Sequence, residues 1–186
     1  MLTIVISGER KWDDEKEEFI PATKDYTLQM EHSLLSISKW EAIYHKAFLI
    51  TEKNFEMIKV YAKCMTINNV PDEVYERLSA QNIDTISEYI KNEATATYLP
   101  NNEGNRAYPN GRTADGDVIT AELIYYWMVQ MNIPVEFQKW HLNRLLILIR
   151  LISLKNDPKG GKGQKMTAAQ RKAINRANRA RFHTKG

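Results

Sequence analysis

Four histidines, one cysteine and a few paired carboxylates are the residues of this chain whose types could do chemistry. Metal binding needs donors at spacings that converge. His32, His45, His141 and His183 lie in separate segments, and there is neither an HExxH pair nor a second cysteine. Cys64 can form no internal disulfide; it reads as a small, buried apolar residue of a reducing compartment. Asp13-Asp14 and Glu17-Glu18 sit in a charged, solvated stretch where nothing would move a carboxyl toward acid–base work. Gly160-Gly161-Lys162-Gly163 lacks the preceding strand and the following Ser or Thr of a phosphate loop, and no Gly-x-Ser-x-Gly elbow occurs. The sequence predicts no enzyme, no metal and no cofactor.

Residues suited to binding are easier to find. Tyr125-Tyr126-Trp127-Met128 and Trp140-His141-Leu142-Asn143-Arg144 concentrate aromatics beside a cation. Such runs either fill the core between two helices or anchor a partner, since Trp, Tyr and Arg dominate interface energetics. Trp140 and Arg144 are four apart, the spacing at which a helix brings an indole and a guanidinium together. Tyr125, Trp127, Trp140 and Arg144 are therefore candidate partner contacts.

Charge is divided unevenly along the chain. The 26 Lys/Arg and 23 Asp/Glu of the 186 residues leave a net +3. Residues 155–186 hold ten of the cations against Asp157 alone, so the tail carries +9 and residues 1–154 carry −6. The composition, 43% hydrophobic and 26% charged, is that of a soluble globular protein. It excludes a disordered chain, a collagen and a coiled-coil rod. Residues 142–154 are the most apolar stretch, but Asn143, Arg144, Arg150 and Ser153 make it too short and too charged to span a bilayer. The opening residues predict no secretory leader, which places the protein in the cytoplasm where it is made.

The elements that must position these residues follow from periodicity. Leu2, Ile4 and Ile6 alternate with Thr3, Val5 and Ser7 as a strand, residues 9–18 read as a charged turn or loop, and Phe19-Ile20 and residues 26–30 read as two more strands. From His32 onward the period is helical. Ser33 is placed to cap a helix carrying Leu34, Ile37, Trp40, Glu41 and Tyr44. Thr51 precedes a helix with Phe55, Ile58, Tyr61, Ala62 and Met65 on its stripe. Pro71-Asp72-Glu73 opens a short helix through Val74 and Leu78, and Asn82 is expected to cap the one carrying Ile83, Ile86, Tyr89 and Ile90. Residues 99–117 are a long loop rich in Asn, Gly and Pro. Helices over 118–132 and about 134–155 form a central hairpin. The expected fold is α+β and mostly α-helical: a β element over 1–31, helices over 32–98, the loop, the hairpin over 118–154, and a flexible basic linker and arm over 155–186.

Thr167 could cap an arm helix running to about Phe182. At about 100° per residue, Lys172, Arg176 and Arg179 share one side and Ala173, Ile174, Ala177 and Ala180 the other. With Arg181 these cations suit an acidic protein partner or nucleic acid. Only Phe182 is available for base stacking, which weighs against a single-strand binder.

Several runs resemble a family of proteins from long-tailed bacteriophages of Gram-positive hosts. They are His32-Ser33-Leu34-Leu35-Ser36-Ile37-Ser38-Lys39-Trp40-Glu41, Ala94-Thr95-Ala96-Thr97, Ile119-Thr120-Ala121-Glu122-Leu123-Ile124-Tyr125-Tyr126-Trp127-Met128, Trp140-His141-Leu142-Asn143-Arg144-Leu145-Leu146, Arg179-Ala180-Arg181 and Thr184-Lys185-Gly186. The chain departs from the family pattern in a longer loop over 99–116 and a more glycine-rich stretch over 158–165. The resemblance implies a tail assembly chaperone, which would bind the tape-measure protein and the tail tube protein in the host cytoplasm, associate with itself, and be absent from the finished virion. The alternative the basic arm supports is a nucleic-acid-binding or virion structural protein. Steep salt dependence would mark the nucleic-acid reading.

Overall fold

Alternation at the start of the chain does what period two requires. β1 (Leu2–Ile6) and β4 (Tyr26–Met30) pair antiparallel, with Leu2 opposite Met30 and Ile6 opposite Tyr26. Ile4, Ile6, Leu28 and Met30 face the core, and Thr3, Val5, Thr27 and Gln29 face out. The computed structural model describes residues 1–8, 11–20, 24–99, 107–108, 110–113 and 115–156. The expected linker and arm lie outside it, apart from the first residues of that span.

The charged stretch between the outer strands is not simply a loop. It holds β2 (Lys11–Asp13), which pairs antiparallel with β3 (Glu18–Ile20) as a second two-stranded hairpin. Trp12 and Phe19 sit opposite one another and pack edge to face with centroids 4.9 Å apart, a cross-strand aromatic pair that supports so short a ladder.

The helical layer covers the inner face of β1 and β4. In α1 (Leu34–Tyr44) the Ser33 hydroxyl accepts from the Ser36 N–H, as expected of its cap, and Leu34, Ile37 and Trp40 are fully buried. α2 (Phe55–Met65) is capped by Asn54, whose side chain accepts from the Met57 N–H. Its stripe runs through Tyr61, Ala62 and Met65, while Phe55, expected on it, is 44% exposed. After α2 the chain runs alongside β4: Glu31 N–H donates to the Met65 carbonyl and Ile67 N–H to that of Gln29.

α3 (Glu73–Glu76) follows, and Val74 and Leu78 are buried as their spacing predicts. α4 (Ala80–Lys91) starts earlier than expected. Ser79 is its cap, and Asn82 is the reciprocal member of a capping box, its side chain accepting from the Ser79 N–H.

α5 (Ala121–Gln130) and α6 (Leu142–Asn156) replace the expected central hairpin. The second expected helix is broken. Residues Val135–Lys139 form a 3-10 turn, and Trp140 and His141 are extended, because His141 bridges Ser33 and the Leu142 N–H donates to the His32 carbonyl at 2.7 Å. Backbone pairing with the start of α1 outcompetes a continuous helix here. Leu142, Leu145, Leu146, Ile147 and Ile149 of α6 are buried, and α1 packs on both α2 and α5. The architecture is α+β and mostly helical, a small N-terminal sheet followed by six α-helices among the described residues. By compactness the chain divides into Met1–Arg150 and Leu151–Gly186.

Candidate partner-binding site

Trp140 stands at the break between the 3-10 turn and α6. Its own N–H donates to the Phe137 carbonyl at 3.0 Å, which fixes the backbone before the indole is placed. The ring stacks on Phe137 with centroids 3.9 Å apart and planes 16° from parallel. The Arg144 guanidinium lies 4.3 Å from the indole centroid, a cation–π pair whose charged end is exposed. The predicted Trp140–Arg144 contact is therefore present, although Trp140 is outside the helix.

A cavity of about 390 Å³ opens beside this pair, lined in part by Glu31, Tyr89, Lys139, Trp140, His141 and Arg144. Its floor is a polar network. Glu31 accepts from the Tyr89 hydroxyl at 2.7 Å and pairs with the Met1 ammonium at 2.9 Å. His141 packs edge-on against both Tyr89 and His32, each with centroids 5.1 Å away, and His32 shares a 2.5 Å hydrogen bond with the buried Tyr61 hydroxyl. Two of the four histidines thus converge, which their separation in sequence hides. Their one visible signal was that each opens or follows an aromatic or serine-rich run. Burial pushes the Tyr61 and Tyr89 hydroxyls up and the His141 ring down, with the Tyr89 carbonyl hydrogen bond opposing the last shift. The His141 Nε2 is engaged by the Tyr89 carbonyl at 3.2 Å, and Nδ1 is buried without a hydrogen-bond partner. The network therefore shapes the cavity floor.

The other predicted contacts separate. Tyr125 and Trp127 are half-buried: the Tyr125 hydroxyl donates to Gln138 Oε1 at 2.8 Å, and Trp127 stacks on Tyr108 at 5.5 Å. They brace the 3-10 turn and Tyr108 of the long loop. The residue α5 turns outward is Tyr126, 58% exposed, together with Val129 and, beyond the helix, Val135. A helix repeats every 3.6 residues, so three consecutive aromatics cannot share one face. Packing of Ile124 and Met128 into the core decides which one faces out.

Lys172, Arg176, Arg179 and Arg181 lie outside the described residues. A second hollow of about 270 Å³ includes Glu41, His45, Lys46, Thr120 and Glu122 in its lining. Glu41 is occupied there by two backbone donors, Phe48 N–H at 2.7 Å and Ala121 N–H at 2.8 Å. Among the described residues no group of three His, Cys, Asp or Glu is placed to hold a metal ion, and no helix is long and apolar enough to cross a membrane. Cys64 is buried, and burial raises its thiol. No protein-family model matches this chain, and neither a curated protein nor a solved structure does.

Proposed function

We propose that this chain is a non-catalytic assembly protein, a tail assembly chaperone of a long-tailed bacteriophage. It works in the host cytoplasm by binding the tape-measure protein, the tail tube protein or both, and it does not remain in the finished virion. The observation that carries the reading is the Phe137–Trp140–Arg144 stack: a partly exposed indole with an exposed cation, fixed by backbone hydrogen bonds beside a cavity. Aromatic and Arg anchors on a rigid support are the usual energetic centre of a protein interface. The runs that resemble the chaperone family include both this segment and the α1 start that holds it.

Co-expression with a tape-measure polypeptide and, separately, with a tail tube polypeptide tests this. A complex is expected that Trp140→Ala weakens. No association with either polypeptide overturns the reading. The +9 tail favours a second reading, binding of nucleic acid by the basic arm. It predicts affinity for duplex DNA whose logarithm falls linearly with the logarithm of salt.

A further inference from the structure

We infer that copies of this chain associate head to tail, with the acidic β2–β3 hairpin of one copy docked in the Trp140 cavity of the next. The hairpin has the form of a ligand. Its turn, Asp13-Asp14-Glu15-Lys16-Glu17-Glu18, holds five carboxylates to one lysine. Asp13 accepts from the Glu15 and Lys16 N–H groups at 3.0 and 3.3 Å, which fixes the turn while Asp14, Glu15 and Glu17 stay exposed. Behind them Trp12 and Phe19 are 50% and 65% exposed. An edge-to-face aromatic pair left in water is a large apolar surface without a cover, and it lies directly behind an anionic tip.

The cavity is complementary. Lys139 and Arg144 present exposed cations at its rim, Trp140 presents its indole, and Glu31 is neutralised by the Met1 ammonium. Residues 1–154 as a whole carry −6, so this cationic rim runs against the charge of the body. That choice of sign points to an acidic occupant.

Within one copy the chain enters the hairpin from the end of the β1–β4 ladder away from the cavity. Glu31 and Met1 mark one end of the β1–β4 ladder, where Leu2 pairs with Met30. The hairpin departs from the other end, past Ile6 and Tyr26, where the Gly8 N–H donates to Asp25 Oδ1 at 2.7 Å. Five residues of strand separate the two by roughly 17 Å. Complementary surfaces at opposite ends of one element make a heterologous contact, which closes into a ring or continues as a filament. One hairpin in one cavity buries less than the roughly 1,200 Å² of a stable complex, so the association is weak and concentration-dependent. The inference does not rest on the identity of any client.

The test uses the full chain in analytical ultracentrifugation at low salt. The wild type should gain weight-average mass as concentration rises. Asp14→Lys/Glu15→Lys/Glu17→Lys takes the turn from −4 to +2 and sets a basic hairpin against a basic cavity, and Lys139→Glu/Arg144→Glu sets an acidic hairpin against an acidic cavity. Each variant alone should remain monomeric with an unchanged circular dichroism spectrum. Their equimolar mixture should associate again, because each hairpin then meets a cavity of opposite charge. A wild type that stays monomeric overturns the inference. So does association that survives in either variant, a mixture that does not recover it, or its loss on deleting residues 157–186 while Lys139→Glu/Arg144→Glu leaves it intact.

Discussion

The Glu41 carboxylate accepts a hydrogen bond from the Ala121 N–H at 2.8 Å across 80 residues of sequence. With its other oxygen on the Phe48 N–H, one side chain ties the start of α5 to the turn after α1. Glu41→Gln keeps the shape but offers one acceptor to two donors. It should cost about 1–3 kcal/mol of stability in urea unfolding at pH 7. Burial raises the Glu41 carboxyl above its ordinary 4.5. A folded pKa above the unfolded one means the favourable contribution is complete below the unfolded value and fades as pH rises through the folded one. The stability gap between wild type and Glu41→Gln should accordingly widen as pH is lowered from 7 toward 4.5.

Lys53 should give the opposite slope at alkaline pH. Its ammonium donates to the Phe48 and Thr51 carbonyls at 2.5 and 2.7 Å and lies 3.9 Å from the Phe48 ring centroid, where burial pulls it down to about 8. The unfolded chain holds that proton up to its ordinary 10.5, so folding is favoured progressively between about pH 8 and 10.5. Lys53→Met should lose this rise in thermal midpoint, read by calorimetry across that range.

Two glycines separate backbone strain from crowding. Gly111 has φ +62°, and an added Cβ would lie 2.8 Å from Ile50 Cγ2 and 2.9 Å from Leu49 Cβ. Gly116 has φ +94° with open space around it. Gly111→Ala should destabilise by about 1–3 kcal/mol and Gly116→Ala by less, in paired chemical denaturation.

Arg144→Ala removes an exposed cation from the face of a half-buried indole. Its effect on stability should stay within about 1 kcal/mol. Binding of the proposed client should fall at least as much as in a Lys139→Ala control, measured by calorimetric titration.

The arm makes a prediction from charge alone. Lys172→Glu/Arg176→Glu/Arg179→Glu should leave the thermal midpoint unchanged while weakening client binding. Exposed ion pairs contribute only about 0.2–1 kcal/mol each, so the three changes act together. A triple variant that unfolds the body would show the arm to be part of the core.

What was legible in the sequence was what local physics decides. Ser33 is a cap because a serine ahead of an apolar period has a donor to satisfy, and the Leu34–Ile37–Trp40 stripe follows from helical geometry alone. What could not be read was set by distant partners. β2 is hidden because Lys11-Trp12-Asp13 has one apolar residue in a charged run, and its pairing depends on β3. The break at Trp140-His141 is hidden because the apolar period continues through it, and only the His32–Ser33 backbone diverts the chain. The Trp140–Arg144 spacing pointed to a true contact for a reason that does not hold, since one partner is not helical. The choice of Tyr126 over Tyr125 and Trp127 as the outward residue rests on how α5 meets the core.

Asn143 and His141 lend their side chains to the far end of α4. Asn143 Nδ2 donates to the Ile90 and Asn92 carbonyls at 3.1 and 2.6 Å, and His141 Nε2 engages that of Tyr89. The last carbonyls of a helix have no partner within it. Here their partners are encoded about fifty residues later, beyond the long loop. During synthesis the ribosome therefore releases α4 well before the atoms that close its final turn exist. Residues 1–98 alone should show a frayed α4 in hydrogen exchange, and closure must await a loop whose entropy is slow to overcome. Completion of the first half of this protein is thus timed by translation of the second.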